Sequence, residues 1–203
     1  RGLGDVYKRQ GDTAETKRIV DSYLSDKRIK YKILAENLGI ADNTNAAMEL
    51  ADGDYIALFD HDDLLSENAL YEVADRICKT GAEIVYTDED KVTSDLSERY
   101  QPNFKPDFNP DLLTSVNYIC HLFVVDREII NKVGTLRSEF DGAQDYDFIF
   151  RCIEAVDPSE IYHIPKILYH WRCHEDSTAE NPESKAYAFE AGTVSYTHLR
   201  AHE

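Results

Sequence analysis

Apolar residues recur along this chain with two alternating periods. Ile19, Val20, Tyr23 and Leu24 share one face of a helix, and Asp12 and Glu15 have capping-box spacing at its start. Ile29, Tyr31 and Ile33 then alternate with Lys30 and Lys32, the period of a strand with one wet face. "ENLGIADNTN" (36–45) reads as a loop leading into a short helix through Ala46, Ala47 and Leu50, closed near Gly53. Residues 55–59 are apolar on both faces, as in a buried parallel strand. Ser66 is placed to cap a helix whose Leu70, Val73, Ala74 and Ile77 fall at i, i+3, i+4 and i+7. "EIVYT" (83–87) predicts another short strand.

Strands alternating with helices over residues 12–90 predict an α/β fold with a mainly parallel sheet flanked by helices. Ligands of such sheets collect beyond the C-terminal strand ends. Two acidic clusters are expected there, Asp60-His61-Asp62-Asp63 and Asp88-Glu89-Asp90. Three carboxylates within four positions repel one another, so a metal ion, a polar ligand or exposure to water must relieve the first cluster.

Beyond residue 90 the pattern weakens. Pro102, Pro106 and Pro110 punctuate a long connection, of a length that in compact domains is often functional. "YICHLFVVD" (118–126) reads as a strand and "REIINKVG" (127–134) as a short helix ended by Gly134. A further helix points Phe148, Ile149, Cys152, Ile153 and Val156 inward, and "IYHIPKILYHWR" (161–172) reads as two strand segments broken by Pro165.

Composition narrows the classes. The 203 residues suit one domain with a proper core. No apolar run approaches the roughly 20 residues of a membrane helix, and no signal peptide is visible. A net charge of −17 without a basic stripe argues against nucleic acid as a partner. Four scattered cysteines with no CxxC pair predict reduced thiols and a cytoplasmic setting.

Several residues carry a structural and a chemical reading side by side. Asp-x-Asp-Asp at a strand end can place carboxylate oxygens around Mg²⁺ or Mn²⁺, or simply be solvated. Asp145 at a helix start either complements the helix dipole or serves as a general base. His170, with His174 four residues on, is a packed core histidine or a metal ligand. Tyr169 and Trp171 are core side chains or platforms for a sugar ring.

Taken in order, "ENLGIADNTNAAMELADGDYIALFDHDDLL", "GAQDYDFIFR" and "ILYHWRCHEDSTA" resemble the family 2 glycosyltransferases, inverting nucleotide-sugar enzymes of GT-A (Rossmann-like) fold. The likeness covers about residues 12–182. "YTDEDK", "FKPDFNPDLL" and "NYICHL" resemble the bacterial subset that builds cell-surface polysaccharides, with rhamnosyl- or galactofuranosyl-type transfer suggested. The resemblance implies a DxD motif at Asp60-His61-Asp62, with Asp62 and Asp60 on a Mn²⁺ or Mg²⁺ ion and His170 as the C-terminal metal histidine, His174 its rival. It implies Asp145 as the base that deprotonates the acceptor hydroxyl, with Gln144 in place of the family's glutamate. Asn37, Gly39, Asn45, Asp60, His61 and Asp63 would border the nucleotide sugar, and His121, Gln144 and Trp171 the acceptor. The implied partners are a nucleotide-sugar donor and a glycan or lipid-linked acceptor, the latter compatible with peripheral association at the inner face of the plasma membrane. A non-catalytic nucleotide- or sugar-binding module of the same fold is the alternative.

One departure from the family pattern stands out. An opening strand like "VSIIIPTYN" and a second ending in "DDGS" are absent, so the first strands of the sheet are expected to be missing, with a sheet edge exposed. "RGLGDVYKRQ" (1–10) and "VSYTHLRAHE" (194–203) lack periodicity and read as non-native tails. The glycosyltransferase domain is expected over 11–182, followed by a C-terminal helix fragment over 183–193.

Overall fold

The computed structural model describes residues 3–5 and 13–173. Asp12, His174, the helix fragment expected over 183–193 and the tail 194–203 lie outside the described residues. Leu3–Asp5 (β1) pairs in parallel with Ile29–Tyr31 (β2), and Thr13–Tyr23 (α1) lies between them in sequence. Then follow Ile40–Met48 (α2), Tyr55–Leu58 (β3), Leu64–Leu65 (β4), Ala69–Thr80 (α3), Ile84–Val92 (β5) and Arg99–Asn103 (β6). Pro110–Leu113 (α4), Phe123–Asp126 (β7), Arg127–Val133 (α5), Gln144–Glu154 (α6) and Ile161–Arg172 (β8) complete the chain.

The expected α/β sheet flanked by helices is present, in the order β3-β7-β5-β8-β4 with β6 on β5. Its pairing is mixed. β5 and β8 pair in parallel, while β7 is antiparallel to both β3 and β5. β3, β5 and β8 therefore share one direction, and β7 is reversed between two of them. Parallel pairing needs a crossover of a dozen or more residues, usually a helix. The short connection after β5 reverses the chain instead: β6 runs antiparallel to β5, and β7, reached through the four-residue α4, keeps the direction of β6.

Period-2 alternation divides the core between the two faces. Ile84 and Tyr86 of β5 and Phe123 and Val125 of β7 pack with Phe148 and Ile149 of α6. Val85 and Val124 point the other way, onto Ala69 and Val73 of α3. Burial on both faces is the property that continuous apolar strands advertise.

Several elements differ from their predicted bounds, each for a tertiary reason. α2 begins at Ile40, inside the predicted loop, because Asp141 accepts the Ala41 N–H at 3.0 Å from 100 positions away. Ser66 does not cap α3. Asn68 occupies that position, and the Ser66 hydroxyl goes to the Ile167 carbonyl and His170. α3 is rotated from its predicted face, burying Ala69 and Val73 while Leu70 is 60% exposed. β8 runs unbroken, since the pairing slips from Thr87↔Ile164 to Asp88↔Ile167 and so accommodates Pro165. β7 is shorter than predicted, because residues 118–122 turn into the sheet's upper end. β6, absent from the prediction, holds Pro102 on an outer strand, where a missing N–H is tolerated. The apolar face of α1 leaves Ile19 and Tyr23 exposed.

Candidate active site

β3 ends at Leu58, which pairs with Phe123, the first residue of β7, so the ladder stops where its partner begins. The acidic turn follows, with the Asp63 N–H on the Asp60 carbonyl at 3.2 Å. The crowding of its carboxylates is resolved by splitting them. Asp60 and Asp62 face outward, their side chains 61% and 37% exposed. Asp63 turns inward, accepting the Tyr169 hydroxyl and the Arg172 N–H (2.8 Å). Burial pushes the Asp63 carboxyl up to about 6, against the pull of those two hydrogen bonds. The Tyr169 hydroxyl also accepts the Asp60 N–H at 3.4 Å, so one phenol staples both ends of the turn to β8.

Because β7 runs in reverse, the segment leading into it lies beside the C-terminal ends of β3 and β5. That segment is held from below by Lys105. Its ammonium, fully buried, donates to Glu89 at 3.2 Å and to the carbonyls of Ile119 and His121. Glu89 in turn accepts the His121 N–H at 2.8 Å. Burial pulls the Lys105 ammonium below its ordinary range, and the Glu89 charge opposes that. His121 so placed approaches Asp60, Nε2 to Oδ2 3.6 Å, and packs on Tyr169 with Trp171 edge-on to its ring. The imidazole assigned to the acceptor side thus leans on the DxD turn.

Asp145 is the second residue of α6. Asn117, just beyond α4, donates from Nδ2 to its Oδ2 at 3.2 Å. Gln144 folds back, its Oε1 accepting the Gly142 N–H at 2.6 Å. Cys120 links this side to the acidic turn. Burial pushes its thiol well above the ordinary range, and the charges of Asp145 and then Asp60 push in the same direction. The charges of the predicted base and of the first aspartate of the DxD turn thus both act on this half-buried thiol.

His170 is placed elsewhere. It is 2% exposed, with Nδ1 against Asp90 at 2.5 Å and Nε2 against Ser66 at 2.9 Å. Both ring nitrogens are engaged inside the protein, and neither is turned to Asp60 or Asp62. The second acidic cluster is buried throughout. Asp88 takes His163 at 2.8 Å and the Lys105 N–H at 2.9 Å, Glu89 takes Lys105, and Asp90 takes His170.

Of the residues expected at the nucleotide, Asp60, His61 and Asp63 lie in the acidic turn, while Asn37, Gly39 and Asn45 hold α2 in place. Asn37 accepts the Gly39 N–H, and Asn45 exchanges two hydrogen bonds with the Leu136 backbone. Gly39 has φ +95°, and a Cβ there would lie 2.7 Å from an Asp141 oxygen, so the tertiary cap of α2 requires glycine.

No group of three or more His, Cys, Asp or Glu side chains able to hold a metal occurs among the described residues. Two outward carboxylates nevertheless fit Mg²⁺ or Mn²⁺, which is commonly held by one or two carboxylates together with the substrate's phosphates. All four cysteines are free thiols. No helix among the described residues is long and apolar enough to cross a membrane. Sequence reasoning quoted the segments that hold Lys105, Asn117 and Cys120 but gave these three residues no role. Their signal was faint: one amide and one ammonium in the proline-punctuated connection, and a thiol inside an apolar run.

Residues 10–134 match the family described as Glycosyl transferase family 2. The chain is 44% identical over 180 residues to the uncharacterized protein y4gI of Sinorhizobium fredii, covering 88% of this chain and 20% of that protein. It is 38% identical over 168 residues to the O-antigen biosynthesis protein RfbC of Myxococcus xanthus (82% and 13%), and 30% identical over 175 residues to the chondroitin synthase of Escherichia coli (83% and 24%). The chain thus spans a quarter or less of each relative's length. A crystal structure of S. aureus TarS in complex with UDP-GlcNAc superposes with a TM-score of 0.67 over 90% of this chain and 54% of that one, at 18% identity. That likeness is one of fold.

Proposed function

The chain belongs to glycosyl transferase family 2 and is a glycosyltransferase domain of GT-A fold, and from that premise we propose a metal-dependent transfer with inversion, from a nucleoside-diphosphate sugar to a hydroxyl of a glycan or lipid-linked acceptor. The observation that carries the proposal is the acidic turn after β3, where Asp60 and Asp62 face outward and the His121 imidazole lies 3.6 Å from Asp60, within a chain that matches the family over residues 10–134. The UDP-GlcNAc bound by TarS supports a nucleotide sugar as donor, and the O-antigen and chondroitin relatives support polysaccharide assembly as the setting. The free thiols fit the cytoplasm, where a lipid-linked acceptor would be met at the inner face of the plasma membrane.

Asp145 accepts the proton of the acceptor hydroxyl as that oxygen forms its bond to the anomeric carbon. The bond from that carbon to the diphosphate oxygen breaks, and its electron pair leaves with the nucleoside diphosphate. Asp62, with Asp60 beside it, would hold the Mn²⁺ or Mg²⁺ ion, which supplies countercharge to the departing diphosphate. Attack and departure on opposite faces invert the configuration in one displacement, as in the inverting hydrolases. With His170 engaged by Asp90 and Ser66, we assign the C-terminal metal histidine to His174.

The test is release of nucleoside diphosphate from a panel of UDP- and dTDP-sugars with Mn²⁺ or Mg²⁺. Release is expected to vanish with EDTA and in Asp62→Ala, and to fall about 10²–10⁴-fold in Asp145→Ala. Donor binding without turnover under any metal would replace the transferase proposal with a binding module. His174→Ala is expected to weaken metal activation without loss of stability, and metal activation unchanged in that variant returns the role to His170.

A further inference from the structure

The Asp145 carboxylate is held from one side only among the interactions described above, and the group that holds it is anomalous. Asn117 donates from Nδ2 to Asp145 Oδ2, while its own Oδ1 is buried without a hydrogen-bond partner among the described residues. Leaving a buried amide oxygen unpaired costs about 1–3 kcal/mol. Rotating the amide by half a turn would not relieve it, because the oxygen would then face a carboxylate. The orientation is therefore set by Asp145, at the expense of the amide's other end. Unpaired buried groups in native proteins call for an explanation, and a functional strain is one of the few available.

The segment carrying Asn117 is also tied to α6. The Tyr146 hydroxyl donates to the Leu113 carbonyl, so consecutive residues of α6, Asp145 and Tyr146, each grip the turn around α4. That turn is fixed in its own right by the Asn109 N–H on the Tyr118 hydroxyl (2.8 Å) and the Tyr118 N–H on the Val116 carbonyl (2.8 Å). A donor on a fixed turn, bonded to one oxygen of a carboxylate, selects the rotamer of that carboxylate and leaves the second oxygen for another partner.

We infer that Asn117 is the positioning residue for Asp145: its amide N–H holds one carboxylate oxygen and presents the other to the acceptor hydroxyl. The inference rests on Asp145 as the general base. Misplacement of a reacting group by about 1 Å can reduce the rate about 10²-fold. Asn117→Ala should therefore lower kcat about 10–100-fold, with the donor KM changed less than about twofold. Asn117→Asp puts a second negative charge against the base, which favours its protonated form, so the acidic limb of the pH–rate profile should move to higher pH. A tether that merely stabilised the loop would alter melting temperature and KM and leave that limb in place.

One readout does not depend on turnover. In the ¹⁵N-labelled protein, one Asn117 side-chain amide proton should resonate downfield and exchange slowly, and Asp145→Ala should abolish both features. An Asn117 amide with free-amide shifts that ignore Asp145→Ala overturns the inference. So does wild-type kcat and an unmoved pH profile in Asn117→Ala and Asn117→Asp, while Asp145→Ala is inactive; the base assignment survives that result. Full turnover in Asp145→Ala removes the base and this inference together.

Discussion

Asp60, Asp62 and Asp63 follow the short β3, whereas Asp88, Glu89 and Asp90 sit in the second half of the nine-residue β5, and the two acidic runs are treated in opposite ways. Two carboxylates of the first run face outward. All three of the second are buried and matched to His163, Lys105 and His170. Strand pairing makes the difference. β3 loses its partner at Leu58↔Phe123, so the chain breaks away into a turn. β5 keeps β8 as far as Val92↔Arg172 and gains β6 from Glu89 onward, so its acids stay in the ladder and must be neutralised there. Where its strand ends, an acidic run is left open to a ligand; where the strand continues, the run is neutralised within the ladder.

The comparison breaks most visibly at Lys105. Lys105→Met leaves Glu89 buried without its cation, and the expected loss is about 3–5 kcal/mol in denaturant unfolding. Adding Glu89→Gln should return much of that loss, since the uncompensated charge is then gone. A stability for Lys105→Met equal to wild type would mean that the second cluster is solvated after all.

His170→Leu comes next. It strands the Asp90 carboxylate and the Ser66 hydroxyl, with an expected loss of about 2–4 kcal/mol. Thermal unfolding with and without Mn²⁺ checks it. A loss of metal activation at unchanged stability would restore His170 as a ligand.

Asp63 belongs to the first cluster by sequence and to the second by environment. Asp63→Ala leaves the Tyr169 O–H and the Arg172 N–H without the acceptor they share, for about 1–3 kcal/mol. Stability unchanged in that variant would erase the division within the turn. The smallest effect is expected for Asp62→Ala, within about 0.5 kcal/mol of wild type in stability, as suits an outward side chain, yet with turnover abolished.

The residues on which the proposed site rests were singled out by the sequence, and the folded chain supplied their neighbours. The DxD turn and Asp145 were marked by their motifs, and the charges of Asp60 and Asp145 both act on the Cys120 thiol. The nucleotide-side assignments of Asn37, Gly39 and Asn45 were harder to read, because the partners of those residues, Asp141 and Leu136 among them, are set by the folded chain. His170 and His174 lie four residues apart in one motif. The burial of His170 depends on Asp90 and Ser66, 80 and 104 positions away.

By itself the sequence determined the alternation of strands and helices, the helix ended by Gly134, the inward face of α6 and the family, because these follow from periodicity, local capping and motif order within a few residues. The tertiary structure alone decided that β7 runs in reverse, that Asp141 caps α2, that Asp88, Glu89 and Asp90 are interior, and that Asn117 grips Asp145. In the last three cases the deciding term is the desolvation of a polar group against a partner remote in the chain, and no local pattern encodes which partner arrives.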